Sequence, residues 1–309
     1  MRVIFMGTPD FAGGTLQAIA RAGYEIVLVV SQPDKPKGRG NVMQAPPVKE
    51  AAMALGIEVY QPRRVRMPEC VEHLREYRPD MIVVAAFGQI LPPEILAMPR
   101  YGCINVHASL LPKYRGAAPI QWAVINGEQV SGVTIQRMAE GIDTGDMIAK
   151  VEVPLAADET GGSLFERLAE VGAGLCVDTM AQIEAGNAVY TPQREEDATH
   201  VGMIHKQLGK INWKQPAQNI ERLVRGLNPW PSAYTALNGR ILKIWSAAVL
   251  PGGNTDEAGC VVESDGRTLI VQTGEGRLSL REVQLEGKKR MGIDAFLRGC
   301  EVPTGTYLG

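Results

Sequence analysis

Short apolar runs of strand length alternate with amphipathic, helix-length segments through the first 186 residues, and beyond Gly186 the pattern changes to short alternating stretches broken by Asn-Gly and Asp-Gly turns. A chain of 309 residues is also near the length at which a single core stops growing. These observations predict an α/β protein: a Rossmann-like, mostly parallel open sheet, followed by a small OB-like β-barrel domain. Residues 1–188 form the expected first domain, 189–206 a polar, proline-bearing linker, and 207–309 the second domain.

The elements follow in order. Residues 2–6 read as a buried strand, and 11–22 as a helix with Leu16, Ile19 and Ala20 on one face. Residues 24–30 and 58–60 read as strands, and 68–77 as a helix with Pro68 in its permitted first turn. The run Met81-Ile82-Val83-Val84-Ala85-Ala86-Phe87 is continuously apolar, as a strand covered on both faces requires. Residues 103–107 continue the strands and 117–125 the helices. Strands at 133–137 and 147–153 precede a long helix over 163–184, which Gly186 ends.

In the second domain one short helix is expected at 220–226. After it comes Asn228-Pro229-Trp230-Pro231, which no regular element can hold. Five strands then follow at 234–237, 241–247, 259–263, 268–273 and 276–285. Asn238-Gly239, Asp265-Gly266 and Gly274-Glu275-Gly276 mark their turns. Trp213, Trp230 and Trp245 are expected to serve core or domain packing rather than to stack on bases.

Composition excludes several function classes. Hydrophobic residues are 45% and charged residues 21% of the chain, an ordinary globular balance. The longest apolar runs fall far short of the roughly 20 residues of a membrane helix, so no membrane association is expected. The N-terminus runs directly into a strand without the pattern of a secretory leader. Five scattered cysteines without CxxC spacing suggest reduced thiols in the cytoplasm rather than disulfides or zinc. His73, His200 and His205 have no ligand-like spacing, and no metal is expected. Net charge is −2, with 13 basic and 10 acidic residues from Gln207 onward giving that part +3 and leaving −5 before it. So mild an asymmetry suits an anionic partner only where cations cluster.

The first strand-to-helix turn, Gly7-Thr8-Pro9-Asp10, lacks the glycine spacing that cradles a pyrophosphate, and Pro9 removes a donor. A nicotinamide dehydrogenase is therefore disfavoured. The strongest chemical feature is Asn105-Val106-His107 at the carboxyl end of a strand, where open α/β sheets bind ligands. Residues two apart share a face, so the amide of Asn105 and the imidazole of His107 project together. Two donors aimed at one oxygen suit a developing oxyanion, at roughly 2.7–4 kcal/mol each. An isolated Asn-X-His more often satisfies local backbone, and the residues that follow decide between the readings. Cys103 shares the parity of Asn105 and His107 but reads as a small buried thiol, so no covalent nucleophile is expected.

The run Asn105-Val106-His107-Ala108-Ser109-Leu110-Leu111-Pro112-Lys113-Tyr114-Arg115-Gly116, continuing to Pro119, resembles the signature of the folate-dependent formyltransferases. Gly7-Thr8-Pro9, Gln32-Pro33-Asp34-Lys35-Pro36, Gly141-Ile142-Asp143-Thr144-Gly145 and Asn228-Pro229-Trp230-Pro231 fit the same family in order, so the resemblance spans nearly the whole chain. It implies the formyltransferase fold and a transferase that moves the formyl group of 10-formyltetrahydrofolate, as co-substrate and with no permanently bound cofactor, to the amino group of methionyl initiator tRNA. It further implies that Asn105, His107 and Asp143 surround the formyl carbon and that Ser109, Leu110, Leu111 and Pro112 contact the folate. Asp143 would orient His107 or a water and relay a proton. Gly141 and Gly145 flank it, as in a loop whose backbone approaches a ligand closely. The same catalytic residues would also serve a sugar-nucleotide N-formyltransferase or a 10-formyltetrahydrofolate hydrolase.

Residues 32–49 make a long loop rich in proline and glycine, carrying Lys35, Lys37, Arg39 and Lys49 against the single acid Asp34. It resembles the loop that the family inserts against the tRNA acceptor stem, so Arg39, Lys35 and Lys37 are the expected tRNA contacts. Family members often carry further basic residues after Gly-Arg-Gly, and this chain has Asn41-Val42. Lys206, Lys210, Lys214, Arg222 and Arg225, with Lys288-Lys289-Arg290, are weaker candidates for following phosphates in the second domain. A monomer is expected.

Overall fold

The computed structural model of the chain describes residues 1–37, 42–252 and 256–309. It falls into two compact units: residues 1–116, 130–154 and 165–201 form the first, and 117–129, 155–164 and 202–309 the second.

In the first unit β1 (Arg2–Gly7), α1 (Asp10–Arg21) and β2 (Glu25–Val30) open the chain. β3 (Lys35–Lys37) and β4 (Val42–Gln44) form a small hairpin. Next come α2 (Pro47–Ala54), β5 (Val59–Tyr60), α3 (Pro68–Glu76), β6 (Met81–Ala85), α4 (Pro93–Leu96), β7 (Cys103–His107) and the two-residue β8 (Arg115–Gly116). Helix α5 (Pro119–Asn126) belongs to the second unit. β9 (Val130–Arg137) and β10 (Met147–Pro154) follow, then the 24-residue α6 (Gly161–Glu184) and β11 (His200–Val201), which pairs with β8.

The main sheet runs β10-β9-β7-β6-β1-β2-β5, parallel from β7 to β5, with β9 and β10 antiparallel at one edge. Val3, Ile4, Phe5 and Met6 are wholly buried, as a strand covered on both faces must be. Helices α2, α3 and α4 each start with proline in the first turn, where its missing N–H costs nothing. The sequence hid α2, because Pro46-Pro47 reads as loop and its apolar face is short. The strand expected through Phe87 ends at Ala85. Ala86 takes a left-handed φ of 46°, which turns Phe87 into the core beside Ile82 and Leu91. A Cβ on Gly172 of α6 would lie 3.2 Å from Val106 and 3.3 Å from Val133, so α6 covers that face of β7 and β9. Asn105 and His107 therefore point to the other face.

The second unit contains α7 (Ala217–Gly226), β12 (Ala233–Leu237), β13 (Arg240–Leu250), β14 (Val261–Ser264), β15 (Leu269–Gln272), β16 (Arg277–Leu285), β17 (Met291–Gly292) and α8 (Ile293–Gly299). Its antiparallel sheet runs β12-β13-β16-β15-β14, with β17 also on β16. The C-terminal residues join its two edges. The backbone of Val261 exchanges hydrogen bonds with residues 305 and 306, and Gly309 N donates to Ala236 O at 3.1 Å. That closure makes the domain barrel-like and pairs part of each edge strand. Trp213, Ile220, Leu242, Leu278 and Phe296 fill its core. Trp230, expected to serve core or domain packing, is 55% exposed.

Candidate functional site

The strand β7 ends the parallel part of the sheet, and β9 pairs with it in antiparallel register: Asn105 lies opposite Gln136, and His107 opposite Thr134. The β9–β10 connection carries Asp143 back over this pair. Sequence-distant side chains thus meet at one carboxylate oxygen. Asp143 Oδ1 accepts from Gln136 Nε2 at 2.8 Å and from Asn105 Nδ2 at 3.3 Å, and lies 3.5 Å from His107 Nδ1. Its Oδ2 accepts from the Gly116 backbone N–H at 2.9 Å. Asn105, His107 and Asp143 are thus brought together.

His107 is buried, and its Nε2 lies 2.9 Å from the carbonyl of Tyr114. A carbonyl only accepts, so Nε2 donates here, and Nδ1 is the ring nitrogen that faces Asp143. Nδ1 can then take a proton, or donate one when both nitrogens carry hydrogen.

Asp143 itself adopts a left-handed φ of 53°. Its backbone is held by a residue the sequence reading passed over. Gln193 Nε2 donates to the carbonyls of Asp143 at 2.8 Å and Gly145 at 2.7 Å. Gln193 Oε1 in turn accepts from Arg115 Nε at 3.0 Å, and Arg115 Nη1 pairs with Glu195 Oε2 at 2.8 Å. Arg115 is 1% exposed, so its charge needs these partners. The flanking glycines also meet their own loop closely. A Cβ on Gly145 would sit 1.7 Å from the Arg137 carbonyl, and one on Gly141 2.4 Å from Thr144 Oγ1. The loop folds tightly on itself.

The segment expected to meet folate is fixed from beneath. Thr134 Oγ1 donates to Ser109 O at 2.7 Å and accepts from Leu111 N at 3.1 Å, while Lys150 Nζ donates to Leu111 O at 3.0 Å. Ser109 and Leu111 are buried, Ser109 Oγ donating to Lys113 O at 2.7 Å; Leu110 and Pro112 are half-buried. Cys103, at the parity of Asn105, packs in the core, and burial pushes its thiol up to about 12. Among the described residues no group of three or more His, Cys, Asp and Glu side chains is placed to hold a metal ion, and no helix is long and apolar enough to cross a membrane.

Arg39 lies outside the described residues. Lys35 stands exposed on β3, opposite Gln44, and Lys37 ends that strand opposite Val42. Lys49 is engaged elsewhere: its Nζ donates to both Asp34 oxygens at 2.8 and 2.9 Å, and Gln61 Nε2 donates to Asp34 Oδ1 at 2.7 Å. These bonds, that of Lys49 first, hold the Asp34 carboxyl below its ordinary range. They tie the start of the loop to α2 and to the residue after β5.

Sequence reasoning missed Gln136, Gln193 and the carbonyl of Tyr114. A signal for the first was present: Thr134 and Gln136 are polar at alternate positions of an apolar strand, the spacing of one face.

Residues 1–180 match the family model described as Formyl transferase, and residues 203–301 match that described as Formyl transferase, C-terminal domain. A protein of Agathobacter rectalis named methionyl-tRNA formyltransferase is 64% identical over 307 residues, 99% of each chain. One of the same name from Lachnospira eligens is 54% identical over 314 residues, with both chains covered entirely. Among solved structures, a sugar 3N-formyl transferase crystallised with dTDP and 5-N-formyl-THF superposes with a TM-score of 0.66 at 20% identity, over 94% of this chain and 99% of that one. At that identity the likeness is one of fold.

Proposed function

The chain belongs to the formyl transferase family, and from that premise we propose that it transfers the formyl group of 10-formyltetrahydrofolate to the amino group of methionyl initiator tRNA in translation initiation. The observation that carries this reading is the full-length identity to proteins named methionyl-tRNA formyltransferase, in a chain whose Asn105, Gln136 and His107 converge on Asp143.

In the proposed reaction the acceptor amine attacks the formyl carbon, forming the new C–N bond and moving the carbonyl electrons onto oxygen. Collapse of the tetrahedral adduct breaks the bond from carbon to N10 of the folate. One proton leaves the amine and one reaches N10. Asn105 Nδ2 has two N–H bonds; one reaches Asp143, which leaves the other for the oxyanion. His107 contributes through Nδ1, because its Nε2–H is taken by Tyr114. With Asp143 Oδ1 at 3.5 Å to stabilise the charged ring, Nδ1 receives the amine proton and passes it to the leaving nitrogen. Tyr114 and Gly116 hold the ring and the carboxylate in place, as proton transfer requires.

Leu110, Pro112 and the pinned backbone of Ser109 and Leu111 form the folate wall of this reading. Arg39, Lys35 and Lys37 contact the tRNA, and residues 207–309 supply further phosphate contacts. Residues 1–188 carry the chemistry, and the protein works as a cytoplasmic monomer.

The test is an assay with purified protein, 10-formyltetrahydrofolate and methionyl initiator tRNA, run beside a sugar-nucleotide amine and a control without acceptor. Formylated methionyl-tRNA as the main product is expected. Equal formate release without acceptor makes the protein a hydrolase, and preference for the sugar amine overturns the acceptor assignment.

A further inference from the structure

Gln136 makes the shortest hydrogen bond to Asp143 Oδ1, 2.8 Å against 3.3 Å for Asn105. It sits in β9 directly across the ladder from Asn105, and only 2% of it is exposed. Its other amide atom, Oε1, is buried, and among the described residues it has no hydrogen-bond partner. A buried acceptor without a donor costs stability, so an apolar side chain of similar length would suit the packing better. What the glutamine gives in return is one N–H aimed at a carboxylate already facing a second amide and an imidazole. A site that breaks a local packing rule in contact with its reacting groups fits a functional constraint.

We propose that Gln136 is a positioning residue for formyl transfer: it holds the Asp143 carboxylate in place and keeps it hydrogen-bonded while Asn105 and His107 act on the reacting carbon. This rests on the function proposed above. In the resting site Asp143 Oδ1 faces three nitrogen atoms, while Oδ2 is fixed by Gly116 N–H. Two of those three belong to groups that must serve the substrate during the reaction. Gln136 does not. Its β9 backbone is locked to β7 and β10 on either side. Its amide is the permanent partner that keeps the buried carboxylate paired while the longer Asn105 contact and the imidazole are shared with substrate. The polarity of the amide is fixed by the same contact. Turning it over would set Oε1 against Oδ1, oxygen against oxygen.

The experiment compares the full chain with Gln136→Met, Gln136→Glu and Gln136→Asn, each alone and in the Asp143→Asn background. Single-turnover rates, the KM values for 10-formyltetrahydrofolate and tRNA, and thermal midpoints are read. Gln136→Met should lower turnover about tenfold with both KM values within about twofold, and its thermal midpoint should stay level or rise as the unpaired oxygen disappears. Gln136→Glu should be slower still, because it opposes two carboxyl groups. In the Asp143→Asn background the Met variant should cost little more, since its effect passes through Asp143. The Asn variant, one methylene shorter, should recover part of the rate. Wild-type turnover in Gln136→Met, or an equal loss with and without the Asp143 carboxylate, overturns the proposal. A fallen thermal midpoint with intact turnover also overturns it and makes Gln136 a packing residue. The wild-type chain is the control for the functional reading: if it fails to formylate methionyl-tRNA, that reading falls and takes this inference with it.

Discussion

The imidazole of His107 is tied by Nε2–H to the backbone carbonyl of Tyr114 at 2.9 Å, which leaves Nδ1 facing Asp143 at 3.5 Å. Because the anchor is main chain, no side-chain replacement at position 114 removes it directly. The ring therefore has one free nitrogen and one orientation. His107→Ala should lower turnover by at least about 10²-fold with the KM for tRNA nearly unchanged, and Asn105→Ala should do the same. Steady-state rates with methionyl initiator tRNA check both. Wild-type turnover in either variant removes that residue from the mechanism.

Asp143 combines a catalytic position with a left-handed backbone, φ 53°. Asparagine tolerates that conformation well and alanine poorly. Asp143→Asn should thus keep the wild-type thermal midpoint while losing at least about 10²-fold in turnover, because the carboxylate charge is gone. Asp143→Ala should lose as much activity and also about 1–3 kcal/mol of stability, through backbone strain and the unpaired Gly116 N–H. Thermal melts of the two variants side by side separate charge from fold. Equal melting of the two would show that the backbone is not strained there.

Gly145 helps to set where Asp143 lies. A Cβ there would sit 1.7 Å from the Arg137 carbonyl, a backbone atom that cannot rotate away. Gly145→Ala must therefore displace the loop, breaking the Gln193 bonds to Asp143 O and Gly145 O. A loss of about 1–3 kcal/mol and of about tenfold or more in turnover is expected. Denaturant melts and single-turnover rates measure the two effects. Turnover at the wild-type level would mean that the loop absorbs the shift.

Much of this was legible in the residues. Alternation of strand and helix gave the parallel sheet because buried strands and amphipathic helices leave different periods in sequence. Asn105 and His107 were readable as one face because strand parity is strict. Asp143 was not readable from period at all: it reaches the site through the loop between β9 and β10, and only the family resemblance pointed to it. Gln136 and Gln193 act across the sheet and from the distant arm, through pairings that one-dimensional patterns do not record. Ala86 shows another limit. An apolar run looks the same whether it continues a strand or turns its last aromatic, Phe87, into the core. Helix α2 was missed because Pro46-Pro47 reads as a loop, although proline suits a first turn.

The buried thiols give a pH prediction. Burial pushes Cys176 up to about 12 from an ordinary 9.0, and Cys103 likewise to about 12. Each folded thiol keeps its proton where the unfolded chain has lost it. The stability associated with these groups is complete below about pH 9 and is lost as pH rises toward 12. Cys176→Ala should flatten the alkaline fall of stability relative to wild type, read from urea midpoints at successive pH values. At pH 8 an alkylating reagent should reach Cys300, which is half-buried, before the other four cysteines. Fast labelling of Cys103 under those conditions would contradict its place in the core.

The loop after β2 is held at its base. Asp34 accepts two bonds from Lys49 and one from Gln61, so the chain entering β3 is fixed against α2 and the residue after β5. That places the cost of ordering the loop's base in folding rather than in binding. It also engages Lys49 in an ion pair, and under the proposed function Lys35, Lys37 and Arg39 are the cations expected to meet phosphate. Arg39→Ala should raise the KM for tRNA without changing the turnover at saturation. It should also reduce the slope of log KM against log salt concentration by about 1, the signature of one lost phosphate contact. Asp34→Ala should raise the KM as well but leave that slope intact, since it loosens the loop without removing a cation from the tRNA. KM values from about 50 to 200 mM salt distinguish the two effects. An unchanged slope in Arg39→Ala would move the electrostatic contact away from this loop and toward the basic residues of the second domain.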